Sequence, residues 1–200
     1  MEGVNMQSFD RSQMLYLPLS QRKNKVTITE SAVDPLTDEV VIPPEIAAKT
    51  ARIAEEILDA RRRKRSVIVV FGAHAIKNGL GRLLAGFARR GWATHLATNG
   101  AGVIHDWEFA YQGASSEDVR ANVQEGHFGT WEETGLSLNL GLAVGAWEGR
   151  GYGESIGAMD FHSMSRGKFC VLNSMPRPSS SSSFTRPTIV VPSALRKASR

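Results

Sequence analysis

The stretch that decides the fold runs from Ser66 to Glu108 and reads, in three consecutive pieces, SVIVVFGAHAIKNGL, GRLLAGFARRG and WATHLATNGAGVIHDWE. Residues 67–71 are continuously apolar and mostly β-branched, which is typical of a strand buried on both faces of a parallel sheet. Residues 92–98 form a second apolar run. Between these runs apolar residues recur at helical spacing, and Gly91 is a natural helix end. The stretch therefore predicts a strand, a helix and a neighbouring parallel strand in a right-handed crossover.

Each predicted strand is followed by a polar, glycine-containing turn. Gly72, Ala73 and His74 follow the first strand, and a helix opens directly after the second with Thr98, Asn99, Gly100, Ala101 and Gly102. Ligands of parallel sheets bind outside the carboxyl ends of the strands, and a helix N-terminus favours an anion. The second turn alone fits a ligand site and an empty tight turn equally, because it lacks the full G-x-G-x-x-G pattern. The first turn favours a crevice that holds a ligand.

Titratable side chains lie within the first turns of the second helix, at His105, Asp106 and Glu108. The two acids either stabilise the helix N-terminus or bind a cationic substrate. A metal site that combines His105 with His74 is the least favoured interpretation, because no ligand spacing supports it. Lys77 is either a phosphate or carboxylate contact or a solvated side chain.

The remaining chain predicts further elements around this unit. Lys25–Thr29 is expected as a short edge strand, and a helix with one apolar stripe is expected from Pro44. The basic run 61–65 is interpreted as a solvated helix end rather than as an anion-binding patch. Capping-box spacing from Ser115 to Asp118 predicts another helix, and a second such signal at 130–133 predicts a glycine-dotted helix through Trp147.

Composition narrows the class of protein. Seven basic residues and one acidic residue fall in 158–200, so residues 1–157 carry a net charge of −2 and no nucleic-acid partner is expected. The single cysteine, Cys170, excludes a disulfide framework. No run is long and apolar enough for a membrane span, so we expect no membrane partner and a cytoplasmic protein. We divide the chain into an N-terminal extension (1–43), an α/β domain (44–157) and an irregular, disordered tail (158–200) with one strand-like stretch at 188–191.

Several of these motifs together resemble a known family. The stretch ATNGAGVIHD at 97–106 resembles the T-x-G-A-x-x-x-H-D segment of deoxyhypusine synthases. With GAHAIKNGL, SSEDV and FGTWEETG, it is most similar to the bacterial deoxyhypusine synthase-like branch. The resemblance covers roughly residues 40–157. The later residues suggest a domain truncated or disrupted after about residue 157.

The resemblance implies a fold, a cofactor and an activity. It implies a Rossmann-like parallel sheet with helices on both faces, here incomplete, that binds NAD in a homotetramer. Members of the family oxidise spermidine with NAD and pass an aminobutyl group to a lysine. Matching positions place Thr98, Gly100 and Ala101 near NAD, and His105 and Asp106, the implied catalytic residues, near the cofactor or the polyamine. Asp106 and Glu108 are the candidate polyamine contacts, since acidic groups attract a polycation.

One departure from the family pattern limits this expectation. The imine-forming lysine of the family lies in a W-G-K motif, and no such motif occurs here. We therefore expect either a deoxyhypusine synthase-like enzyme that is inactive in this truncated form or a non-catalytic nucleotide-binding module.

Overall fold

The computed structural model describes residues 10–34, 36–37, 40–159 and 188–190, and it shows an α/β protein. Its elements, after two short 3-10 turns at 11–13 and 19–21, are β1 (Asn24–Thr27), α1 (Ile28–Ser31), α2 (Pro44–Arg62), β2 (Ile68–Val70), α3 (Ala73–Lys77), α4 (Gly81–Arg89), β3 (His95–Ala97), α5 (Gly100–Gln112), β4 (Ala114–Glu117), α6 (Val119–Gln124), α7 (Glu132–Trp147), α8 (Tyr152–Ala158) and β5 (Thr188–Val190).

The predicted parallel pair is confirmed. β2 and β3 are neighbours in parallel, with Ile68 opposite His95 and Val70 opposite Ala97. β5 pairs in parallel with the other side of β3, so the order is β2-β3-β5. β5 falls inside the tail that was expected to be irregular, whereas residues 160–187 and 191–200 lie outside the described residues.

The burial predicted for the first strand is wrong. Val69 is packed on the core, but the side chains of Ile68 and Val70 on the other face are 59% and 74% exposed. The apolar run indicates a strand but cannot show which faces are covered, because coverage depends on where helices pack.

Helix α5 is the centre of the described structure. Val103, Trp107 and Ala110 pack in one hydrophobic cluster with side chains of α7 and α8, including Leu138 and Ile156. Phe109 belongs to a second cluster formed with α3, α4 and β3. Helix α5 ends before Gly113, whose φ of 76° closes the helix in the left-handed conformation. A helix buried on two sides holds its polar residues in fixed positions.

Two predicted helix starts need correction. Ser115 belongs to β4, which pairs antiparallel with β1, and Asp118 is itself the cap of α6, accepting from the Ala121 N–H at 3.2 Å. Strand pairing with Val26 outweighs the local capping pattern at Ser115. Helix α7 begins one residue later than predicted, since Trp131 is its N-cap and the Glu133 carboxylate accepts instead from the Leu19 N–H at 2.6 Å.

Helix α2 begins at Pro44 as predicted, but none of its residues is buried. Its contact with the rest of the protein includes a hydrogen bond from the Arg61 guanidinium to the Gly91 carbonyl oxygen. Arg62 and Arg63 pair with Asp59 on the same helix. These contacts agree with a solvated helix end. None of the helices in the described part of the chain is long and apolar enough to cross a membrane.

Candidate functional site

The two polar turns lie at one edge of the parallel sheet. Gly72 follows β2 and caps α3, and Asn99 follows β3 and caps α5. The Phe71 N–H donates to the Ala97 carbonyl oxygen at 2.9 Å, which holds the ends of the two strands together. Helices α3 and α5 pack against each other directly behind these turns. The two turns therefore lie at the same edge of the sheet, as the sequence predicts, and we call this place the β2–β3 edge.

The glycines at this edge fall into two kinds. A Cβ added at Gly72 or Gly100 would have no atom within 4 Å, so a ligand has room to approach the backbone there. A Cβ at Gly102 would lie 2.3 Å from the Thr98 Oγ1. Gly102 is buried and lets α5 pack on Thr98. Gly100, and not Gly102, therefore leaves the backbone accessible to a ligand.

The N-terminus of α5 is partly satisfied by its own cap. The Asn99 side chain accepts from the Gly102 N–H at 2.9 Å, which is a standard N-cap bond. The N–H groups of Gly100 and Ala101 precede the first intrahelical bond and can donate to an external acceptor. Thr98 Oγ1 is buried and has no hydrogen-bond partner among the described residues. The donors at this edge suit an anionic group.

The two predicted substrate carboxylates lie inside the protein. Asp106 is 4% exposed and Glu108 is 1% exposed. Both oxygens of Glu108 are engaged: the Arg22 guanidinium donates to them at 2.6 and 2.7 Å, the Ser115 hydroxyl at 2.5 Å and the Thr134 hydroxyl at 3.1 Å. In this arrangement neither carboxylate faces the crevice, and a contact with a polyamine stays a prediction.

His105 is hydrogen-bonded to this buried network. Its ring is half-buried, and Nδ1 lies 2.7 Å from the Ser115 hydroxyl oxygen. Burial lowers the pKa of His105 below its ordinary value of 6.5, and although Glu108 opposes this shift, Lys77, Arg22 and His74 add to it. The imidazole is therefore neutral at neutral pH. Lys77 and His74 lie on α3, so the histidine couples the two turns electrostatically.

Sequence reasoning missed the partners that organise the site. Arg22 lies 86 residues before Glu108, and neither its type nor its spacing marks it in the sequence. Ser115 was assigned to a helix cap, so its place beside His105 was not foreseen. A predicted strand at Lys25–Thr29 was the available signal, because its partner strand carries Ser115.

The other predicted residues of the two turns lie at the beginnings of α3 and α5. Ala73 starts α3, and Ala101 and His74 are exposed near the crevice. His95, on β3, is hydrogen-bonded, with Nδ1 2.8 Å from the Thr94 hydroxyl oxygen. Among the described residues, no three His, Cys, Asp or Glu side chains are grouped so that they could hold a metal ion.

A separate cleft of about 490 Å³ lies between α7 and α8, away from the β2–β3 edge. Its lining is mainly apolar, with Leu140, Val144 and Met159, and Glu148 and Arg150 pair at its rim. It contains none of the predicted site residues.

Comparison with protein-family models, with curated proteins and with solved structures found no match to this chain.

Proposed function

We propose that the β2–β3 edge binds NAD and that the protein is deoxyhypusine synthase-like and takes a polyamine or a related amine, without completing the aminobutyl transfer because it lacks the W-G-K lysine. The observation that carries the nucleotide part is the meeting of two open glycine turns, at Gly72 and Gly100, after adjacent parallel strands. The amine part rests on the resemblance of 97–106 and the accompanying motifs to that family. A homotetramer is proposed on the same resemblance.

The proposal includes a Rossmann-like sheet with helices on both faces. The parallel order β2-β3-β5, with α3 and α4 between the first two strands, supports it. In such folds the ligand lies at the carboxyl edge of the strands, where Gly72 and Asn99 are found. The proposal requires the face of Ile68 and Val70 to be covered in the functional protein, since parallel sheets are buried on both sides.

The residues of the edge fit a nucleotide. The Gly100 and Ala101 N–H groups would donate to the pyrophosphate at the N-terminus of α5. Lys77 and His74 lie on α3 at the same edge, where positive charge and N–H donors favour phosphate. When bound, NAD supplies the hydride acceptor for amine oxidation. The residues of the chain bind and orient the ligand and exchange protons with it.

Charge at the crevice favours the nucleotide over the polyamine. On α3 and α5, His74, Lys77 and His105 are partly or fully exposed, whereas Asp106 and Glu108 are buried. A polycation would gain little from such a lining. The amine would thus meet His105 rather than a free carboxylate.

A second candidate function is a non-catalytic nucleotide-binding module. The absence of a W-G-K motif favours it, because the transfer of an aminobutyl group needs that lysine in the family. Lys168 follows Arg166 and Gly167 without a tryptophan, and it lies outside the described residues. Such a module would bind NAD without consuming spermidine.

Calorimetry with NAD on the intact protein tests the shared part of both candidates. Gly100→Val should weaken binding by at least about tenfold, because the side chain would occupy the path of the pyrophosphate. Gly135→Val is the matched control, since Gly135 lies on α7 and also has open space around it. No binding heat with the wild-type protein, or equal binding by both variants, would place the nucleotide elsewhere.

Absorbance by NADH then separates the two candidates. With NAD and spermidine present, the enzyme forms NADH and the module does not. NAD binding without NADH formation over a range of amines would favour the module.

A further inference from the structure

We infer that Ser115, oriented by Glu108, is a positioning residue that fixes His105 in the Nδ1–H tautomer and leaves Nε2 free to accept a proton. The inference rests on three buried contacts that join β4, α5 and the segment before β1. None of these contacts is implied by the nucleotide site itself.

The count of hydrogens determines the direction of each bond. Arg22 donates two hydrogen bonds to Glu108, so this carboxylate is an ionised acceptor. The Ser115 hydroxyl has one hydrogen and donates it to Glu108 over 2.5 Å. The remaining contact, 2.7 Å from Ser115 Oγ to His105 Nδ1, then requires the histidine nitrogen to donate. Nδ1 carries the hydrogen of the ring.

The tautomer is defined because the ring is neutral. Burial is the main cause of the lowered pKa of His105; Glu108 acts against it, and Lys77, Arg22 and His74 act with it. These are the charged or titratable groups acting on the ring from α5, from α3 and from the segment before β1. A neutral imidazole has one N–H. With Nδ1 as the donor, Nε2 keeps its lone pair, and it has no hydrogen-bond partner in the described part of the chain.

The chemical role of this arrangement rests on the proposed function, whereas the tautomer does not. An amine is protonated at neutral pH and must lose a proton before its nitrogen lone pair can assist oxidation. His105 Nε2 would take that proton: one N–H bond of the ammonium breaks, a bond to Nε2 forms, and the products are a free amine and an imidazolium. The Glu108 charge, acting through Ser115, stabilises the imidazolium. A fixed base thus compensates for the lack of a carboxylate in the crevice.

Nitrogen NMR of the intact protein labelled with ¹⁵N-histidine reads the tautomer directly. At neutral pH we expect the His105 Nδ1 to be protonated and Nε2 to be unprotonated. Ser115→Ala removes the acceptor of the Nδ1 hydrogen, so the signal should change toward the Nε2–H form preferred by histidine in water. Ser115→Thr keeps the hydroxyl and should restore the wild-type pattern.

Thr134→Ala is the matched control, because it removes a different hydrogen bond to Glu108 and leaves Ser115 in place. It should not alter the tautomer. An Nε2–H signal in the wild-type protein, or an unchanged tautomer in folded Ser115→Ala, would overturn the inference. If Ser115→Ala does not fold, the wild-type spectrum alone decides. NAD calorimetry is independent of this readout, so failure of the proposed function and failure of the tautomer are distinguished.

Discussion

At the scale of single residues, His105 stands out because its environment changes its protonation. The ring is half-buried and hydrogen-bonded to the buried Ser115 hydroxyl, and burial lowers its pKa. The same chemistry that makes it a candidate base also makes it a source of pH-dependent stability. This link allows the site to be tested without any ligand.

We expect the free energy of unfolding to fall as the pH drops below 6.5, with His105 contributing to the slope. In the unfolded chain the histidine binds a proton below 6.5, whereas the folded protein resists protonation until its own, lower pKa. The unfolded state therefore binds more protons in that window, and stability decreases with falling pH. One proton corresponds to a slope of at most about 1.4 kcal/mol per pH unit.

Urea denaturation at a series of pH values measures this slope. His105→Gln should flatten it. Identical slopes for wild type and His105→Gln would show that this imidazole is not shielded in the folded state.

At the scale of elements, α7 and α8 pack closely because α7 carries glycines on one side. A Cβ at Gly145 would lie 1.9 Å from Ser155 Oγ and 2.9 Å from Ser155 Cα. A Cβ at Gly141 would lie 2.5 Å from the Met159 sulfur. Gly135, on the same helix, has open space around it. Gly141 and Gly145 therefore allow α7 to pack closely on α8, whereas Gly135 makes no such contact.

Alanine at these glycines should have opposite effects on stability. Gly145→Ala should destabilise the protein by about 1–3 kcal/mol, because the contact with the backbone of α8 forces the helices apart. Gly135→Ala should stabilise it by about 0.5–1 kcal/mol, since alanine restricts the unfolded chain and favours the helix. Chemical denaturation of both variants provides the comparison. Equal and favourable effects would mean that α7 and α8 do not approach as described.

At the scale of the whole molecule, the buried pair of Arg22 and Glu108 joins distant parts of the chain. The pair lies between the segment before β1 and helix α5, and Glu108 also holds β4 through Ser115 and α7 through Thr134. The arginine side chain is 4% exposed and the glutamate 1%. Two charges removed from water this far depend on each other, so the described segment that carries Arg22 packs as part of the folded unit.

Arg22→Met should cost about 3–5 kcal/mol, because it leaves the Glu108 charge buried and unpaired. The double variant Arg22→Met with Glu108→Gln should recover a large part of this loss, since the amide keeps hydrogen bonds without the charge. Lys23→Met is the matched control: its neighbouring pair with Glu125 is exposed and should contribute little, because water screens the two charges. Chemical denaturation of all three variants measures how strongly Arg22 and Glu108 depend on each other for the free energy of unfolding. A small loss for Arg22→Met would mean that water reaches the pair.

The sequence by itself determined the parallel pairing of 68–70 with 95–97 and the helices α4 and α5. These features arise from local periodicity and from backbone conformations that glycine favours, so a short stretch contains their signal. The meeting of the turns at Gly72 and Asn99 followed from parallel topology alone.

Only the tertiary structure decided which strand face is covered, which glycine is open and which carboxylate is buried. From the sequence, Ile68 and Val70 are predicted to be buried, but the structure leaves them exposed. The sequence does not distinguish Gly100 from Gly102, whereas the structure places Thr98 against Gly102 and leaves Gly100 open. The sequence predicts Glu108 as a substrate contact, whereas the structure pairs it with Arg22, 86 residues away in the chain. Burial and ion pairing depend on contacts between distant segments, and such contacts leave no periodic trace in the chain.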